Sequence, residues 1–114
     1  MSAQSIALLT LPLVLASACA AQRFVTAAGE PAGADDNTLG VTRTSGAAFD
    51  AVPVDVLGTS VVQAGAAIAK GDTLKADADG CAITWATNGA KVAIALQAAS
   101  AAGQPIEVLL LPNA

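Results

Sequence analysis

The chain has 114 residues, a formal net charge of −4 and charged side chains at only 12% of positions, against about 25% in an ordinary soluble domain. That length bounds it to one domain that buries roughly 65% of the surface its unfolded form exposes. The five basic residues, Arg23, Arg43, Lys70, Lys75 and Lys91, stand singly, so no basic patch or aromatic ladder is available for nucleic acid. Histidine and tyrosine are absent, which removes the commonest general base and a common acid.

The apolar fraction of 54% includes 29 alanines, and alanine contributes little buried area at ~25 cal/mol per Å2. The core is therefore expected to be thin. Surfaces poor in charge associate readily, and stable interfaces are depleted of charge at their centres. Much of this surface is expected to be covered by other subunits.

In chain order, 6–21 (IALLTLPLVLASACAA) is the first apolar run. It resembles a secretory or lipoprotein signal ahead of Cys19, but MSAQS carries no Lys or Arg. Leu15 also stands four residues before the cysteine rather than three. Pro12 interrupts the run, which is too short for the ~20 residues of a membrane span; no membrane partner is expected. As a strand, Leu9, Leu11, Leu13 and Leu15 share one side, and Leu8, Thr10, Pro12 and Val14 the other. Pro12 suits an edge strand. Residues 1–28 thus read as an apolar arm or edge strand, with Leu9, Leu11, Leu13 and Leu15 as candidates to lie on a neighbouring chain.

Residues 29–37 (GEPAGADDN) form a loop without apolar periodicity, and 38–114 a β-rich domain. A strand follows at 38–42. Next, 50–57 alternates, with Val52, Val54 and Val56 against Ala51, Pro53 and Asp55. Gly58 marks a bulge, after which 60–63 continues the strand. Residues 68–76 contain a tight turn at Lys70-Gly71-Asp72. Asp77-Ala78-Asp79-Gly80 reads as a hairpin turn, and Asn88-Gly89 as a second one joining strands at 82–86 and 92–97. Residues 98–102 could form one helical turn. In the terminal strand Ile106, Val108 and Leu110 share a face. The fold expected is mainly β with little helix: a small barrel or sandwich of short antiparallel strands.

Reactive constellations are scarce. Cys19 and Cys81 match no metal spacing and lack a histidine activator. Two free thiols are expected, one disulfide remaining the alternative. Asp77-x-Asp79-Gly80 lacks the other donors of a calcium loop, and Asp35-Asp36 reads as a solvated acidic tip. Trp85 is expected as a core or interface anchor. No catalytic residue, metal or cofactor is assigned, and an enzyme is not expected.

Residues 39–111 resemble the capsid cement, or decoration, proteins of tailed phages. The likeness runs through Leu39-Gly40-Val41, Val52-Pro53-Val54 with Gly58, Ala64-Gly65-Ala66-Ala67-Ile68 and Lys70-Gly71-Asp72-Thr73-Leu74. It continues through Asp77-Ala78-Asp79-Gly80, Ala95-Leu96-Gln97-Ala98-Ala99 and Ile106-Glu107-Val108-Leu109-Leu110. The resemblance implies a non-enzymatic subunit, made in the host cytoplasm, that clamps major capsid proteins on the outer surface of the virion, commonly as a homotrimer. The long apolar segment 5–21 departs from the polar start usual in that family. Two other readings remain: an exported envelope protein or lipoprotein, and a barrel-sandwich carrier domain suggested by Val62-x-x-Gly65-x-x-Ile68-x-x-Gly71-Asp72-x-Leu74. Lys75 lacks the tight hairpin that carriers place around their modified lysine.

Overall fold

The clean alternation around Val52, Val54 and Val56 becomes the strand from which the rest of the protein hangs. The structure is a computed structural model that describes residues 6–86 and 88–111. Strand β4 (Ala51–Gln63) is its longest element. The first half of β4 lies between β1 (Ala7–Val14) and β3 (Gly40–Thr42), with β2 (Phe24–Val25) beyond β3. Its second half pairs with β8 (Pro105–Leu110), which leads through β7 (Ala93–Ala95) and β5 (Thr73–Ala76) to β6 (Ala82–Thr84). All these pairs are antiparallel. Ala64 then bridges Ala82, and the Gly65 amide donates to the Ala82 carbonyl at 2.7 Å, so β6 returns to the end of β4 and nearly closes a barrel. The protein is mainly β, as its alternation indicates.

The partner change along β4 happens at Gly58, whose φ is +96°. A Cβ there would lie 2.4 Å from the Ile6 carbonyl oxygen, so only glycine allows β1 this close at that backbone angle. On one side of the bend Val52 and Val54 pack with Leu15, Cys19 and Val25 in a small cluster. On the other, Val62 joins the barrel core of Phe24, Leu74, Ile106 and Val108. Asp55 is buried beside the bend. Thr10 and Ser60 donate their hydroxyls to its two carboxylate oxygens at 2.9 and 2.7 Å, and Arg43 approaches to 3.7 Å. The carboxylate thus joins β1 to both halves of β4.

Several local readings hold. Asp77 to Gly80 turns β5 into β6, with Gly80 at φ +78°, and Ile106, Val108 and Leu110 are all buried. Gly58 interrupts an otherwise continuous strand, as expected. The Asn88-Gly89 reading needs correction. β6 and β7 do not pair; they flank β5 on opposite sides, Leu74 facing Thr84 and Ala93. The connection must therefore cross the end of β5. Lys75 fastens it by donating to the Asn88 carbonyl and to Asp35 Oδ1. Residues 98–102 form no helical turn: Ile68 and Ala99 make a β-bridge, and the Gln104 side chain accepts from the Ser100 amide. The loop 29–37 folds back on the sheet through a Val25–Pro31 bridge and buries Ala32.

The Asp55 linkage yields a first prediction. Asp55→Ala leaves the buried Ser60 hydroxyl and the more exposed Thr10 hydroxyl without their acceptor and is expected to cost about 1–3 kcal/mol of stability. Urea unfolding followed by Trp85 fluorescence measures it.

Candidate docking surface

The exposed large apolar side chains gather around β1 and the β4 bend. Ile6 and Leu8 are 64% and 73% exposed, and Leu9, Leu11 and Val14 are exposed along the same strand. Ladder register extends this group. Leu9 faces Leu57, itself exposed, and the Ile6 backbone meets Thr59, whose partner across the sheet is Leu109. Leu109 is exposed as well and pairs with Ile94. Exposed apolar side chains therefore recur on three neighbouring strands, an apolar band over β1, β4 and β8. Single exposed leucines are ordinary, whereas a contiguous group marks an interaction surface.

The expected face of Leu9, Leu11, Leu13 and Leu15 is divided by the structure. Leu15 is fully buried in the small cluster and Leu13 is half-buried against it, so neither is free to cover a neighbouring chain. β1 is an edge strand in the chain's own sheet, and its inner face closes that cluster. Two register irregularities beside Leu9 then turn the end of the strand outward, as bulges do at sheet edges. Leu9 and Leu11 stay exposed. Leu8, Val14 and Ile6, outside the expected face, are more exposed still.

Phe49 was missing from the sequence candidates. It is 81% exposed with φ +70°, a backbone region costly for a bulky L-residue. Its turn explains how it is held. The Ala47 amide donates to Asp50 Oδ2 at 2.9 Å, the Asp50 amide donates to the Ala47 carbonyl at 3.1 Å, and the Phe49 amide to the Leu15 carbonyl. Gly33–Asp36 and Ala69–Asp72 repeat the device, each with its fourth-position aspartate accepting from the first amide. Their third residues, Asp35 and Gly71, also have positive φ. The signal in the sequence was Asp50, placed like Asp36 and Asp72; the absence of glycine hid it.

Trp85 lies outside both core clusters and is half-buried. Its indole Nε1 donates to the Gly89 carbonyl at 2.9 Å, and Lys91 Nζ stands 4.4 Å from the ring centroid. It closes the β6–β7 connection. A cleft of about 520 Å3 is lined by Arg23, Gln63, Asp77, Asp79 and Cys81 among small residues. Several of its polar groups are already engaged. The Arg23 guanidinium donates to Gln63 Oε1 and the Asp79 carbonyl, and Asp77 Oδ1 accepts from the Asp79 and Cys81 amides. Asp77 thus caps its own turn. The Asp35-Asp36 pair is solvent-exposed, as expected of an acidic tip, and is also held in place, since Asp35 pairs with Lys75 at 2.7 Å and Asp36 accepts from the Gly33 amide. Among the described residues no group of three or more His, Cys, Asp or Glu side chains could hold a metal ion, and no helix is long and apolar enough to cross a membrane.

These features define a small β-barrel whose exposed large apolar side chains gather on β1 and around the β4 bend. The phage cement protein family model matches residues 3–110, and the chain belongs to that family. Its role is accordingly structural, in the phage capsid. Among solved structures it is similar to the head fiber gp8.5 N base in bacteriophage phi29, with a TM-score of 0.75 and 20% identity over 90% of this chain and 93% of that one. At that identity the likeness is one of fold. No curated protein sequence matches the chain.

Cys19 and Cys81 are free and buried. Burial raises both thiols above their ordinary value of 9.0, against the opposing influence of Thr42 and Arg23 on Cys19 and of Arg23 on Cys81. The folded chain therefore holds these protons more tightly than the unfolded one. Their contribution to stability is complete below the ordinary thiol range and is lost as pH rises through the folded value. Thiol labelling at pH 8 is expected to be at least about tenfold slower in the folded protein than in urea, with stability declining once pH passes the ordinary thiol value.

Proposed function

We propose that this protein decorates the outer surface of a phage head, binding the major capsid protein through the apolar band of β1, β4 and β8 together with the Phe49 turn, and doing so as a homotrimer. The observation that carries the reading is the family match over residues 3–110. The geometry supports where docking occurs. Ile6, Leu8, Leu9, Leu11, Leu57 and Leu109 expose apolar surface in one region, and burial of such surface drives association at ~25 cal/mol per Å2. Several weak contacts per trimer would act together, so avidity does not require any single strong one.

The alternatives draw less support. Cleavage before Cys19, as a lipoprotein signal requires, would remove β1 and Leu15 and open the small cluster. Lys75, the lysine nearest a carrier's modified position, lies within β5 and is ion-paired to Asp35 rather than presented on a hairpin tip.

Heads assembled with variants test the reading. Leu8→Lys combined with Leu109→Lys is expected to lower occupancy per head at least about tenfold, the scale of a 1.4 kcal/mol loss, with the fold intact by circular dichroism. Light scattering of the free protein reads the trimer directly; a lone subunit at all concentrations would reject that part. Phe49→Gly separates docking from folding. Glycine relieves the positive φ, so stability is expected to hold or rise by up to about 1 kcal/mol, while head occupancy falls. Unchanged occupancy in both variants would place docking elsewhere.

A further inference from the structure

Two prolines stand directly opposite each other in the β1–β4 ladder, Pro12 facing Pro53. A proline cannot donate to a ladder, yet both strands continue through this point. The explanation lies in which way each backbone group faces. The Leu15 amide donates across to the Asp50 carbonyl, so by strand alternation Leu11, Leu13 and Leu15 point their backbone groups toward β4, and Thr10, Pro12 and Val14 point theirs away. Pro53 presents its carbonyl to the Arg43 amide at 3.0 Å and so faces the β3 side. The missing amide of Pro53 is turned inward, where β3 has just ended at Thr42. The missing amide of Pro12 is turned to the free edge of β1, where no strand pairs among the described residues.

That edge is open to a second chain from Thr10 to Leu13, beyond which the Gly29 backbone lies against Val14 and accepts from the Ala16 amide. The strand is eight residues long and mostly exposed, apolar, and without one charged side chain between Ile6 and Gln22. Natural edge strands discourage pairing with charges, bulges or proline. Here charge is absent, and the register irregularities beside Leu9 disturb only the N-terminal end. Pro12 removes the outward donor that would follow Thr10, and the next outward position, Val14, lies beside the Gly29 backbone. A pairing strand would find an acceptor at Pro12 and no donor.

We infer that Pro12 is a gatekeeper which prevents a second copy of this chain from adding its own β1 to this edge, confining β1 to contacts through its side chains. Edge-to-edge pairing of two β1 strands would join two copies as a closed two-fold pair and set the apolar band against the wrong partner. The inference is independent of whether the band binds a capsid protein, since it concerns the free protein alone.

The test compares purified full-length Pro12→Thr and Pro53→Thr proteins with the unchanged protein by sedimentation velocity across concentration, with circular dichroism to confirm folding. Pro12→Thr restores an outward donor and is expected to assemble beyond the parent's state at about tenfold lower concentration, the scale of one recovered hydrogen bond on each chain. Pro53→Thr restores an inward-facing donor and is expected to match the parent. Adding Leu8→Lys to Pro12→Thr places a charge at the edge and is expected to reverse the assembly. Pro12→Thr behaving like the parent overturns the inference, as does equal assembly of both proline variants. If Pro12→Thr does not fold, Pro12→Ala restores the same donor with a smaller side chain; failure of both to fold, or a folded Pro12→Ala with the parent's assembly state, also overturns it.

Discussion

The structure depends on one strand serving two sheets, and on the glycine that lets it do so. β4 pairs with β1 and β3 before Gly58 and with β8 after it. The small cluster and the barrel core lie on the two sides of that change. Asp55 reinforces the same place, because Thr10 and Ser60 bring β1 and the far half of β4 to one carboxylate. A buried charge is costly unless it is paired and hydrogen-bonded. Here both oxygens are engaged, so the group fixes the angle of the bend more than it adds net stability.

Alanine has a different use from the one composition suggests. Seven alanines, Ala32, Ala64, Ala76, Ala82, Ala93, Ala95 and Ala99, lie buried in the barrel cluster. Each contributes little area, but a barrel of few strands has a narrow interior that larger side chains would force open. Ala76, Ala82, Ala93 and Ala95 sit on the inward face of β5, β6 and β7, while Leu74, Ile106 and Val108 supply the bulk. The core is small in area and closely filled. The apolar surplus is consequently found outside, along β1 and at the bend, where leucine rather than alanine is exposed.

What the sequence revealed and what it concealed divide by the range of the interactions involved. The alternation of Val52, Val54 and Val56, the Asp77–Gly80 turn and the face of Ile106, Val108 and Leu110 are set by neighbours two to four residues away, and each was legible. The partners of β6 and β7 were not. Asn88-Gly89 is a local turn signal, whereas the insertion of β5 between those strands is decided by distant pairings of Leu74 with Thr84 and Ala93. The leucine stripe was legible as a stripe, but its burial depended on a cluster supplied by Val25, Val52 and Val54. Phe49 escaped notice because positive φ is ordinarily read from glycine, and here three hydrogen bonds to Asp50, Ala47 and Leu15 hold an aromatic residue in its place.

On the proposed docking surface, docking and folding would draw on the same strand, and this would shape how the surface can be built. The inner side of β1 closes the small cluster through Leu13 and Leu15, while Leu8, Leu9, Leu11 and Val14 stay exposed. A charged edge would suppress unwanted pairing but would also spoil an apolar docking band. Proline resolves the conflict because it removes a donor without adding polarity to the side-chain face. The same logic applies to Phe49. A residue held at unfavourable φ and almost wholly exposed contributes nothing to the folded chain that glycine would not contribute at lower cost. The exposed aromatic surface accords with the docking role proposed for this turn. In a chain with charged side chains at 12% of its positions, such features make the surface, rather than any reactive group, the specialised part of the molecule.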